Sequence, residues 1–205
     1  MPELPGFRLA AWDTPLRVNP NRSAGRFNRE NSPATQYIGL HPLTPWAEYL
    51  RTNQITSRET VNDHRIRIWA IRVVAPEVTT IDFENAPTFG LDPHDLISDD
   101  WTACQDFADR LREDAAAPKI LRVPSAALAG TRNVVILGER VDMPYLWTPI
   151  DDGDLPTCVV VEEGRPPEKL LDLVRYEGQG HAEFEAWSAG RRYEFADLRI
   201  HAPPP

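Results

Sequence analysis

Proline occupies 20 of the 205 positions, about twice its usual share. Each proline fixes φ and removes a backbone donor, so it interrupts helices and central strands. The expected fold is therefore an irregular, mixed architecture of short elements joined by many loops. A chain of 205 residues is long enough for one well-buried domain, or a domain plus an appendage. Its 41% apolar and 26% charged residues are those of an ordinary globular protein. The formal net charge is −9, which argues against non-specific nucleic-acid binding and against anionic membranes, since both need a basic face. An anionic ligand would need a local basic pocket in an acidic molecule. Cys104 and Cys158 lie far apart and form no metal-ligand cluster. The first residues, MPELPGFRLAAW, carry neither a basic n-region nor an apolar h-region, and no run approaches a membrane span. A cytoplasmic protein with reduced thiols is expected, with Cys104 in the core.

Along the chain, residues 1–24 read as loop, apart from a short strand Pro15-Leu16-Arg17-Val18 on which Arg17 points away from its apolar neighbours. Tyr37-Ile38-Gly39-Leu40 reads as a strand. A helix is expected over residues 45–53, with Thr44 as N-cap and Trp46, Ala47 and Leu50 as its apolar positions. Residues 64–74 alternate arginines with isoleucines and valines as a strand, and residues 78–83 form a second short extended run before a loop over 84–98. The clearest helix is expected over residues 101–116, with Trp101, Cys104, Ala108, Leu111 and Ala115 facing the core. Residues 118–125 and 133–138 read as strands, and Ser125 falls at a strand end. There it either faces a pocket or caps the turn over 126–129. No nucleophile elbow surrounds it. Residues 1–150 form the expected core. Residues 151–205 read as an elaboration of it: an acidic turn, a strand over 157–161, a short helix over 168–175, a hairpin of 181–187 with 191–195, and a proline tail.

One stretch does not read as packing. Residues 25–51 place Arg26, Arg29, Tyr37 and Glu48 on a turn, a strand and a helix, at neither strand nor helix period. An arginine, an aromatic ring and a carboxylate at such intervals suggest side chains converging on an anionic ligand that carries a sugar or ring. Taken singly, Glu48 is equally well read as a carboxylate favoured near a helix N-terminus.

The order of motifs resembles the RES domain family. Leu16-Arg17-Val18 is similar to its opening strand, Gly25-Arg26-Phe27-Asn28 to its glycine-arginine turn, and Tyr37-Ile38-Gly39 to its tyrosine strand. Ala47-Glu48, Val123-Pro124-Ser125-Ala126 and Asn133-Val134-Val135 follow in the family's order, over roughly residues 15 to 150. Ala24, Phe27, Gly39 and Gly138-Glu139 depart from the pattern. The resemblance implies an ADP-ribosyltransferase-like α+β core, with two small antiparallel or mixed sheets around a cleft flanked by helices. It implies an NAD⁺-consuming toxin that cleaves the nicotinamide–ribose bond by hydrolysis or phosphorolysis, with an Xre-type antitoxin as partner. It implies no metal and no cofactor beyond NAD⁺ as substrate; the five histidines show no ligand spacing.

Such chemistry passes through an oxocarbenium-like cation. In this reading Glu48 stabilises the cation, Tyr37 stacks on the nicotinamide or ribose, and Arg26 with Arg17 grips the pyrophosphate. Ser125 hydrogen-bonds the nicotinamide end or the ribose, and Asn28 and Asn133 bind substrate. Two alternatives remain open at the level of sequence: an ADP-ribosyltransferase acting on a protein, and a nucleotide-binding or interaction module without turnover.

Overall fold

The computed structural model describes residues 3–9, 23–61, 63–74, 77–138, 146–149 and 166–195. Seven strands share one hydrogen-bonded network: β1 (Glu3–Leu9), β2 (Thr35–Gly39), β3 (Ile68–Val74), β4 (Thr79–Thr80), β5 (Ile120–Pro124), β6 (Arg132–Leu137) and β7 (Leu146–Pro149), in the order β4-β5-β6-β2-β1-β3-β7. All neighbours are antiparallel except β4 and β5. The sheet divides into two halves. β1 and β2 meet in register at one pair, Phe7 with Gly39, whereas β1 pairs with β3 along its whole length and β2 pairs with β6 over five residues. The fold is α+β as expected, but the strands form one mixed sheet rather than two separate small sheets, with β1, β3 and β7 joined to β2, β6, β5 and β4 through the short β1–β2 pairing.

β1 was expected to be loop because Pro5 and Gly6 sit in its centre. Gly6 is there for space: a Cβ would lie 2.4 Å from Ile38 Cγ2, so the bare backbone lets β1 cross β2. The expected strand at residues 15–18, with its Arg17, lies outside the described residues. The strand over residues 64–74 is shorter than its alternation suggests, beginning at Ile68.

Helix α1 (Leu43–Thr52) begins two residues earlier than expected. Thr44 is not its N-cap; Pro42 occupies that place, and His41 Nδ1 accepts the Leu43 N–H at 3.2 Å. Leu43, Trp46, Ala47 and Leu50 are buried with Leu128, Leu170, Val174 and Tyr176 in one cluster. A single-turn helix α2 (Arg58–Val61) follows. Helix α3 (Thr102–Glu113) covers a second cluster of Phe27, Leu96, Cys104, Phe107 and Val135. Cys104 is free and fully buried, as expected; Cys158 lies outside the described residues. The period-2 alternation of β6 sends Val135 and Leu137 to that cluster, and Val134 and Ile136 to a third cluster with Ile38, Trp69 and Ile71. Asn133 shares the face of Val135. The loop over residues 84–98 contains two 3₁₀ turns, Ala86–Phe89 and Pro93–Leu96.

Residues 166–195 pack back on the α1 cluster through Leu170, Leu171, Val174 and Tyr176. The expected helix over 168–175 is a 3₁₀ turn, Glu168–Asp172. The expected hairpin is overturned: residues 182–188 form helix α4 (Ala182–Ser188), whose N-terminus is capped by His181 accepting from Phe184 N. Helical spacing stacks Phe184 and Trp187 together on Phe83, with ring centroids 5.3 and 5.7 Å away. The strand expected over 157–161 and the acidic turn before it lie outside the described residues. No helix among the described residues is long and apolar enough to cross a membrane.

Candidate functional site

The Gly25–Asn28 turn is a tight bridge, with Gly25 N to Asn28 O at 2.9 Å and Asn28 N to Gly25 O at 3.2 Å. A Cβ on Gly25 would lie 2.6 Å from Asn28 Oδ1 and 2.9 Å from Tyr37 Oη, so the turn closes only around a glycine. Helix α3 clamps it. Gln105 Nε2 donates to Gly25 O and Asn28 O at 3.0 and 3.1 Å, and Arg112 Nη2 donates to Phe27 O and Thr35 Oγ1, both at 2.7 Å. Phe27, in place of the family's tryptophan, is the apolar anchor beneath, with 1% of its surface exposed. The turn thereby presents Arg26, whose Nη1 donates to Asp95 O at 2.9 Å. Burial holds the Arg26 guanidinium below its ordinary pKa; Arg51 acts in the same direction, and Glu48 and Tyr37 oppose it.

Tyr37 locks the turn to β2. Its hydroxyl accepts the Phe27 N–H and donates to Asn28 Oδ1, both at 2.9 Å. Burial pushes the phenol above its usual range, so it remains a protonated donor. Asn28 is itself buried, with Nδ2 on Ser23 O and Arg29 O. It holds Tyr37 rather than reaching into open space. The tyrosine as a whole remains 36% exposed.

Glu48 rides in the second turn of α1, which is set directly on β2 at Gly39. A Cβ there would meet Thr44 Cβ at 2.7 Å and Pro45 Cδ at 3.0 Å, which explains glycine in place of the family's serine. Glu48 Oε1 accepts two hydrogen bonds, from Ser125 Oγ and from Asn133 Nδ2, each at 2.9 Å. Ser125 is completely buried, and its Oγ also accepts the N–H groups of Ala127 and Leu128 at 3.3 and 3.2 Å. Of the two roles read from sequence it has the turn-capping one, and the same hydroxyl donates to Glu48. Ser125 acts on Glu48 and has no exposed surface for a ligand.

Two cavities flank these groups. One, of about 360 Å³, is bordered by Arg8, Tyr49, Tyr37, Glu48 and Asn133. The other, of about 280 Å³, is bordered by Arg26, Arg51, Trp101, Tyr37, Glu48 and Asn133. Tyr37, Glu48 and Asn133 border both, so the carboxylate stands where the two chambers meet. Glu48 Oε2 receives no hydrogen bond from the described residues. Among those residues, no group of three or more His, Cys, Asp or Glu side chains is placed to hold a metal ion.

The structure therefore brings together Arg26, Asn28, Tyr37, Glu48, Ser125 and Asn133. Arg29 is turned outward to α3, paired with Asp106 and, at 2.9 Å, with Asp109. Three residues at the cavities were not anticipated. Arg8, on β1, is a half-buried arginine whose pKa is lowered by desolvation to about 10, so it stays charged at neutral pH. Its setting, Phe7-Arg8-Leu9, has the same apolar-arginine-apolar pattern as Leu16-Arg17-Val18, which is the signal that could have found it. Arg51 lies three residues after Glu48 on the same helix, a spacing that places both on one face. Trp101, expected in the core, instead stands before α3 at a cavity wall.

The chain is 28% identical over 119 residues to a Mycobacterium tuberculosis protein named probable NAD(+) phosphorylase Rv3189, a match covering 58% of this chain and 56% of that protein. The chain thus spans little more than half the length of this curated relative. Its fold matches a chain of the solved M. tuberculosis MbcT–MbcA toxin–antitoxin complex with a TM-score of 0.54 and 19% identity, covering 65% of this chain and 73% of that one. The sequence model of the RES domain matches residues 7–157, beginning on β1 beside Arg8 and running through Arg26, Tyr37, Glu48, Ser125 and Asn133. This chain belongs to the RES domain family.

Proposed function

We propose that this chain is an NAD⁺-consuming enzyme that breaks the nicotinamide–ribose bond, and that it acts in the cytoplasm as the toxin of a toxin–antitoxin pair. The observation that carries this reading is the Glu48 carboxylate, fixed through Oε1 by Ser125 and Asn133 at the meeting of two cavities. Family membership, the phosphorylase name of the mycobacterial relative and the toxin–antitoxin complex that shares the fold support it.

In the reaction, the bonding pair of the C–N bond leaves with the pyridinium ring, which departs as neutral nicotinamide. The ribose carbon takes on positive charge. A carboxylate beside it stabilises that charge most in the transition state, where the charge is fully developed. With Oε1 occupied, Oε2 of Glu48 is the oxygen that faces the ribose. Ser125 is a positioning residue in this scheme, acting through Glu48. Asn133 has the same role towards Oε1, and Asn28 towards Tyr37. The Tyr37 ring supplies the stacking surface, and Arg26 and Arg8 bind the anionic part of the dinucleotide from opposite chambers. The acceptor is water, giving ADP-ribose and a proton, or phosphate, giving the 1″-phosphate of ADP-ribose. The partner is an Xre-type antitoxin that covers the cleft.

The test is to incubate the purified chain with NAD⁺, with and without inorganic phosphate, and to separate the products. The expected result is nicotinamide release matched by ADP-ribose or its phosphate. Unchanged NAD⁺ would overturn the proposal, and ADP-ribose retained on protein would replace it with transfer.

A further inference from the structure

Arg51 belongs to a network that the reaction scheme above does not use. Its side chain is 11% exposed, and its Nη2 is paired with Asp99. Nη1 and Nε of Arg51 meet no acceptor among the described residues. Trp101 borders the same chamber, its indole N–H buried without an acceptor among the described residues, and Arg26 stands there as a second guanidinium. Like charges beside one small cavity repel, and an anion between them relieves the repulsion.

Asp99 is held from behind. Arg175 Nη1 and Nη2 donate to its two oxygens at 2.9 and 3.2 Å, and Gly178 N donates at 2.8 Å. Arg175 is fixed in turn: Nε donates to Gln179 O at 2.8 Å, and its backbone N donates to Ala127 O at 2.9 Å, two residues from Ser125. One carboxylate thus ties α1, the approach to α3 and the segment 166–195 together. It uses one edge of the Arg51 fork and leaves the remaining donors unmatched. The chamber is bordered by two guanidiniums, Arg26 and Arg51, and one carboxylate, Glu48, in a protein whose net charge is −9.

We propose that Arg51 is a direct contact for a diphosphate group in the Arg26 chamber, and that Asp99 is the positioning residue that holds it there. Through Arg175 and Gly178 the segment 166–195 becomes part of the ligand site. The ligand class is a nucleoside diphosphate, whose multiple charges and several acceptor oxygens suit two guanidinium forks. This deepens the NAD⁺-cleaving reading and takes the identity of the anion from it.

Calorimetric binding of ADP and of adenosine to the full chain tests the assignment, because the pair differs only in the diphosphate. ADP should bind at least about tenfold more tightly than adenosine, and Arg51→Gln should remove about tenfold of ADP affinity while leaving adenosine unchanged. Asp99→Asn should lose about three- to tenfold for ADP, Asp99→Glu should recover part of it, and the double variant should bind like Arg51→Gln alone. If Asp99→Asn does not fold, Arg51→Lys decides, since it keeps the charge and loses the fork. Wild-type ADP affinity in Arg51→Gln or Arg51→Lys overturns the inference, as do losses that multiply in the double variant. A wild-type chain that destroys NAD⁺ without preferring ADP over adenosine overturns this inference alone. An Arg51-dependent ADP preference without NAD⁺ loss leaves it standing and overturns the cleavage reading.

Discussion

Gly25 has no room for a methyl group, because Asn28 Oδ1 and Tyr37 Oη would lie 2.6 and 2.9 Å from it. Gly25→Ala should therefore cost about 1–3 kcal/mol by forcing the turn open, measured by denaturant titration. Tyr37→Phe removes one hydroxyl but strands two partners, the Phe27 N–H and Asn28 Oδ1. Its expected cost is about 1–3 kcal/mol, against near-neutrality for a tyrosine whose ring alone matters. Residues fixed by local geometry were legible in the sequence: Gly25, Arg26, Tyr37 and Glu48 stand in a fixed order on short elements. Arg8 and Arg51 were not, for different reasons. Arg8 stands beside Pro5 and Gly6, which read as loop, and only the long-range pairing of β1 with β3 and of Phe7 with Gly39 brings it to the cavity. Arg51 becomes a cavity residue only when Asp99, 48 residues later, takes its Nη2.

Helix α1 links packing to chemistry at the level of the element. One face buries Leu50 at 0% exposure, while Glu48 and Arg51 project from the other into the cavities. Leu50→Ala should destabilise the fold by about 2–5 kcal/mol, read from thermal or denaturant unfolding. The loss should track the shared cluster, so Leu170→Ala, also at 0% exposure, should be comparable. The alternation of β6 and the stripe of α3 were readable because each is long enough to repeat its period. β1 and α4 were misread because a local signal in each pointed away from the structure. In β1 a glycine required by Ile38 imitates a turn. In α4 the order Ala182-Glu183-Phe184-Glu185-Ala186 alternates like a strand, and the decisive cap is a histidine side chain.

At the scale of the whole molecule, two sheet halves touch at one corner, and the segment 166–195 braces the site through Asp99 and through His181. His181 Nε2 lies 3.0 Å from the Ser125 carbonyl, and Nδ1 accepts the Phe184 N–H. The ring is therefore neutral, with its proton on Nε2, and burial holds its pKa below the ordinary 6.5. The unfolded chain takes up a proton that the folded chain refuses. Stability is thus complete above the ordinary histidine value and is lost as pH falls from there towards the lower folded value. Asp99 adds to this in stronger acid. Burial raises its pKa, but the Gly178 N–H, Arg175 and Arg51 together bring it below the ordinary 3.8, so its contribution disappears as pH falls through that range. Unfolding midpoints should decline as pH falls below the ordinary histidine value, and His181→Gln should flatten that decline. An equal slope in the variant would assign the acid sensitivity elsewhere.

The central claim is that the Glu48 carboxylate, held by Ser125 and Asn133, stabilises the transition state for loss of nicotinamide. Steady-state kinetics of NAD⁺ consumption by Glu48→Gln tests it most directly, because the amide keeps the shape and removes the charge. In this variant kcat should fall by about 10²–10³-fold while KM and the melting midpoint stay close to wild type. A raised KM with unchanged kcat would contradict it.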